Sequence, residues 1–134
     1  MAKESGLGFA VSVDNSAGAV KTISNDVTEL DFSTPKEIQE VTGVDVSAME
    51  RILTLADMQV KLSGVFNDAT DMSHDVFKTV PSTSVVRTTT LAISGQTLAA
   101  ELLYSKYDMK RSNKGEFTWE TQGDLANGVV PTWS

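Results

Sequence analysis

Few side chains in this sequence have types and spacings that suggest chemistry. His74 is the only histidine and stands between Ser73 and Asp75. Those three letters name a hydrolytic triad, but neighbours in sequence diverge from the backbone and cannot reach the mutual geometry a triad needs. Asp68, Asp71 and Asp75 lie close enough in sequence to converge on a hard cation, which takes carboxylate oxygens from a flexible loop. The stretch lacks the central Gly and terminal bidentate Glu of an EF-hand, so it reads as a solvated loop whose acids favour the start of a following helix. Gly6-Leu-Gly8 lacks the third Gly and the helix of a dinucleotide fingerprint. Without cysteine there is no disulfide, thiolate ligand or thiol nucleophile. We therefore assign no catalytic residue, cofactor or metal ligand, and expect a protein that is not an enzyme.

The elements that would position any site must come from a chain of 134 residues, the size of one domain, expected to span 1–134. Hydrophobic residues make up 40% and charged residues 22%, enough apolar surface to build a core. The formal charge of -7 argues against a protein that grips phosphates. The opening residues hold no apolar signal core, and no stretch approaches the roughly 20 apolar residues of a membrane span, so a soluble, unexported chain is expected.

Phe9, Val11 and Val13 alternate with Ala10 and Ser12 as in a half-buried strand, and Asp14-Asn-Ser-Ala-Gly18 follows as a turn. Val27 to Phe32 is a second strand, with Leu30 and Phe32 on one face and Val27 out of phase. From Ser33 to Ser47 the pattern breaks around Pro35 and Thr42-Gly-Val-Asp45, predicting a long irregular loop of the kind that carries function. Ser47 with Glu50 has the spacing of a capping box, predicting a helical turn through Leu53.

Met58, Val60, Leu62, Gly64 and Phe66 give the clearest strand, expected to be central. Ser73 is placed to cap a short helix over 73–80, with Val76, Phe77 and Val80 on its buried face and Pro81 as its stop. Val85 to Ser94, Gln96 to Met109 and Glu116 to Thr121 supply further strands, separated by turns at Gly95 and Asn113-Lys-Gly115. Trp119 is expected in the core. Trp133, after Pro131 near the C-terminus, must fold back on its own domain or dock on a partner. The pattern is mainly β: an antiparallel β-sandwich or barrel with one short flanking α-helix and a long early loop.

The order of these features resembles the major tail tube proteins of long-tailed, siphovirus-type bacteriophages, particularly those infecting actinobacteria. The resemblance rests on Val13-Asp-Asn-Ser16, Ile23-Ser-Asn-Asp-Val27, Val41-Thr-Gly-Val-Asp45, Met49-Glu-Arg-Ile-Leu53 and Leu62-Ser-Gly-Val-Phe-Asn67. Ser73-His-Asp-Val-Phe-Lys-Thr-Val80 and Gly115-Glu-Phe-Thr-Trp119 complete it. It implies a structural virion protein, made in the host bacterial cytoplasm, whose hexameric rings stack helically into a hollow tube that genomic DNA crosses without specific binding. Implied partners are further copies of the chain, a tape measure protein, a tail terminator and a distal tail protein, with no membrane. In such proteins a long early loop reaches neighbouring subunits and rings. By position that makes Pro35, Lys36, Ile38, Val41, Thr42, Val44 and Asp45, with Trp133, the expected inter-subunit contacts, and Val76, Phe77, Val80 and Trp119 the core anchors. Residues 1–6 are expected to be a flexible segment.

The rival readings are a β-sandwich binding or decoration module, a tail terminator or completion protein that caps the tube, and a small hydrolase. The last requires two facing carboxylates that the spacing does not single out.

Overall fold

The computed structural model describes residues 7–134; the N-terminal segment 1–6 lies outside them. Strand β1 (Ala10–Asp14) buries Val11 and Val13, with Phe9 packed at their margin. Asn15 turns the chain by accepting the N–H groups of Ala17 and Ala19 on its Oδ1, both at 3.0 Å, and Gly18 takes φ 85°. β2 (Val20–Thr22) then returns against β1.

β3 (Val27–Ser33) explains the phase error in the sequence. Its register against β6 (Gln59–Val65) shifts between Val27 and Glu29, so a β-bulge absorbs one residue. Val27, Leu30 and Phe32 thereby all pack against the core. Gly64 of β6 faces this irregularity, where a Cβ would collide with the backbone oxygen of Asp26.

The segment read as an irregular loop contains a strand. β4 (Lys36–Glu40) pairs antiparallel with β5 (Arg51–Ala56), and the two form a separate two-stranded sheet. The helical turn expected after Ser47 is absent: Arg51, Ile52 and Leu53 belong to β5, and the Glu50 N–H donates to Thr42 Oγ1 at 2.9 Å instead of entering a capping box. Both faces of this hairpin are exposed, so neither strand carries the apolar–polar alternation that reveals a half-buried one.

The remaining elements are helix α1 (Ser73–Phe77), β7 (Arg87–Ile93), β8 (Gln96–Arg111), β9 (Phe117–Leu125) and β10 (Thr132–Trp133). β7 and β8 join through Ser94 and Gly95, both at positive φ, as in a type I′ hairpin. The large sheet runs β2-β1-β7-β8-β9-β6-β3, every pair antiparallel, with β10 added beside β8. β6 is thus interior, as expected, although next to the β3 edge. Among the described residues β2 and β3 end the order and do not pair with each other, so the sheet is sandwich-like and not a closed barrel. It curls enough to bring the Phe9 and Phe32 rings to 6.3 Å.

The concave face holds the core: Val11, Val13, Val60, Leu62, Leu91, Leu98, Leu102 and Trp119, closed at one end by α1. A bulge between Tyr104 and Lys106 lets both Tyr104 and Tyr107 turn toward Phe77 of α1, with ring centroids at 5.3 and 5.8 Å. The helix is shorter than its 73–80 expectation. It ends at Phe77, before Pro81, which lies in a separate 3-10 turn over Val80–Ser82. Buried Arg87 accounts for the early end by donating to the carbonyl oxygens of Val76 (2.8 Å) and Asp14 (3.0 Å) and to Thr79 Oγ1 (3.0 Å). No helix among the described residues is long and apolar enough to cross a membrane.

Candidate assembly surface

The three residues that spell a triad point in three directions. Ser73 Oγ is buried with no hydrogen-bond partner. His74 Nδ1 lies 3.1 Å from the Tyr107 hydroxyl, its ring packed against Phe66 at 4.8 Å. Burial pushes the Tyr107 phenol up to about 12, which keeps it protonated as a hydrogen-bonding group. Asp75 pairs with Lys78 at 3.0 Å and accepts the Asp71 N–H at 3.1 Å, and these contacts, Lys78 first, hold its carboxyl below the usual range. Asp71 is itself paired with Lys21 at 3.0 Å. Among the described residues no three His, Cys, Asp or Glu side chains gather as a metal site.

The chain also presents an arm that is separate from the large sheet. The β4–β5 hairpin is closed at its neck by the Asp57 N–H donating to Pro35 O at 2.9 Å, and at its far end by the Val41 N–H donating to Glu50 O at 2.9 Å. Register places Ile38 opposite Leu53 and Glu40 opposite Arg51 on one face, with Gln39 opposite Ile52 on the other. Apolar side chains are therefore bare on both faces: Ile38 is 61% exposed, Leu53 60% and Ile52 50%, and Val44 at the tip is fully exposed. A two-stranded sheet is marginal by itself in water, and apolar side chains left bare on both faces of one are those that an interacting partner would cover.

Seven of the expected contact residues lie on this arm. Pro35 is at its neck, Lys36 and Ile38 are in β4, and Val41, Thr42, Val44 and Asp45 are at the tip. Thr42 is used internally, its hydroxyl holding Glu50. Trp133 is elsewhere, on β10 against its own domain, its ring 6.1 Å from Phe32. That ring remains 45% exposed. Val76, Phe77, Val80 and Trp119 are buried, and Trp119 donates its indole N–H to Val65 O at 2.9 Å.

Met49, Ile52 and Leu53 fall in the helical turn expected through Leu53, and Leu55 just beyond it, so none was expected on this surface; the available signal was the β-prone run Ile52 to Leu55. Asp26 and Arg87, which hold the two ends of α1, had no sequence signal, since their partners lie far along the chain.

No protein-family profile matches the chain, and no curated sequence is significantly similar to it. Solved structures are similar in fold. A chain in the tail of an empty gene transfer agent (GTA) particle, computed with helical refinement and C6 symmetry, superposes with TM-score 0.80 at 18% identity, covering 98% of this chain and 99% of that one. A chain of the native GTA virion gives 0.79 at 17%, with the same coverage. A chain in the six-fold symmetrised baseplate of the anti-feeding prophage gives 0.69 at 9%, covering 100% of this chain and 97% of that one. At these identities the likeness is one of fold. The matched span takes in the hairpin, because 98% of 134 residues leaves only about three outside it.

Proposed function

We propose that this chain is a structural protein of a phage-type tail, whose copies assemble into hexameric rings that stack into a hollow tube for the passage of DNA. The observation that carries the reading is the β4–β5 arm, which bares apolar side chains on two faces and at its tip while covering nothing in its own chain. A surface of that kind has a use only when another protein covers it. The fold that carries it is shared with chains of a tail of C6 symmetry. Nothing in the residues calls for a reaction, so the proposed role is assembly and not catalysis. A formal charge of -7 would keep phosphates from adhering to a tube wall.

The baseplate likeness supports a second reading, in which rings form without stacking and cap or join a tail as a terminator or completion protein would. Negative-stain electron microscopy of the purified chain at high concentration, with sedimentation alongside, separates the readings. Uniform hollow tubes support the tube subunit and isolated rings the capping role. A compact monomer at all concentrations would count against both and favour a binding module.

A further inference from the structure

We propose that β10 is exchanged between copies on assembly, the C-terminal strand of one copy pairing with the β8 edge of the next. The inference rests on the self-assembly reading above. Its basis is an excess of chain. β9 leaves the β8 ladder with Leu125 opposite Leu102, and the Ala126 N–H still donates to Glu101 O at 3.0 Å. β10 then resumes the same edge in the same direction, with Thr132 opposite Ala99 and Trp133 opposite Leu98. The Ser134 N–H and carbonyl each bond Thr97 at 2.9 Å. Residues 127–131 thus span the single ladder position of Ala100.

A continuous strand would need no such excursion. From Leu125 to Thr132 an extended chain reaches about 23 Å, whereas three ladder positions take about 10 Å. The surplus is shaped as a turn, with Asn127 Oδ1 accepting the Val129 N–H at 3.1 Å and Gly128 at φ 73°. It bares Val129 and Val130, and it includes Pro131, which cannot donate to a ladder. The strand beyond is two residues long, and its Trp133 is only half covered. Such a segment is at the weakly held end of a fold and opens first.

Exchange re-forms the same pairs in trans, so it needs no new kind of contact. A reciprocal exchange between two copies closes as a dimer, whereas a strand passed from each copy to the next runs head-to-tail into a ring or filament, the form that the self-assembly reading requires. β8 accepts the strand without losing β7, which occupies its other side. The accepting edge is already shaped for β10, and a second copy of this chain carries that strand.

The chain has no cysteine, so the test is direct. Ala99 and Thr132 are opposed across the ladder and both exposed, at a separation a disulfide can bridge. Chains carrying only Ala99→Cys are mixed with chains carrying only Thr132→Cys, assembled, oxidised and digested for mass spectrometry. Exchange gives a 99–132 cross-linked peptide and a covalent heterodimer in the assembled fraction, lost on dilution to monomer before oxidation. Tubes or rings without that peptide overturn the exchange and leave the assembly reading intact. Failure of the unsubstituted chain to assemble, scored first by microscopy, overturns both.

Discussion

The carboxylate of Asp26 accepts the backbone N–H of Ser73 at 3.0 Å, 47 positions along the chain, and so caps α1 from outside the helix. Its other oxygen accepts from Asn67 Nδ2 at 3.0 Å. The reading of Ser73 as its own helix's N-cap gives way to this arrangement: Met72 holds the N-cap position with no side-chain cap, and Ser73 Oγ is buried without a partner. The two residues should therefore respond oppositely to truncation. Asp26→Ala should lower stability by about 2 to 3 kcal/mol, because it strands a buried N–H that had a charged acceptor. Ser73→Ala should be neutral or stabilising by up to about 1 kcal/mol, since it removes an unsatisfied hydroxyl. Urea unfolding of both variants checks this, and a costly Ser73→Ala would restore the local cap.

Arg87 fixes the opposite end of the helix. Its guanidinium is buried and joins Val76 of α1 to Asp14 of β1, while Asp14 Oδ1 lies buried without a hydrogen-bond partner. Burial draws the Arg87 pKa below its ordinary value, against the opposing pull of Tyr104 and Asp14. Arg87→Met should cost about 2 to 4 kcal/mol, because it strands the Val76 and Asp14 carbonyl oxygens that the guanidinium satisfies and removes the positive charge whose field the Asp14 carboxylate shares. Asp14→Asn in that background should recover part of the loss. Strictly additive effects in a double-mutant cycle would show that the two groups do not interact.

Stability should also fall at alkaline pH for an identifiable reason. Burial raises the Tyr107 phenol from 10.0 to about 12, and the Tyr104 phenol is raised further, also by burial. A group whose folded pKa lies above its unfolded value favours its protonated form in the fold. The contribution of Tyr107 is complete below about 10, declines above that and is lost once pH has risen through about 12. Thermal midpoints should stay level up to about pH 10 and then drop. Tyr107→Phe should shallow that drop, leaving the share of Tyr104, and an unchanged slope would remove Tyr107 as a cause.

What the sequence disclosed follows from how each segment is buried. β1, β6 and β8 are covered on one face, so Val11 and Val13, Val60 and Leu62, and Leu98, Leu102 and Tyr104 keep a two-residue phase that shows in the sequence, even though Ala99 and Leu103 between the β8 residues are themselves apolar. Val27 appeared out of phase because a bulge, which composition does not encode, restores its face. β4 was hidden because nothing in its own chain buries either of its faces, and Lys36, Glu37, Gln39 and Glu40 therefore resemble a loop. The arm's position was legible from the break at Pro35, but its two apolar faces depend on a cross-strand register that only pairing reveals. Asp26 and Arg87 were invisible because their partners are set by topology.

The arm also gives the sharpest separation between folding and assembly. Its neck is closed by Pro35 O with the Asp57 N–H, and none of the core residues lies in β4 or β5. Substituting exposed side chains there should leave the monomer within about 0.5 kcal/mol of the parent, as for surface positions generally. Ile38→Lys with Leu53→Lys puts like charges opposite one another on one face, and Val44→Asp charges the tip. If that face and the tip dock on other copies, each variant must bury an unpaired charge to assemble, which costs several kcal/mol per contact and recurs in every copy. Sedimentation should then find folded monomer with an unaltered unfolding midpoint and no tubes. Tubes of normal length from either variant would show that the corresponding surface faces solvent in the assembly and would move the contact to the β2 and β3 edges.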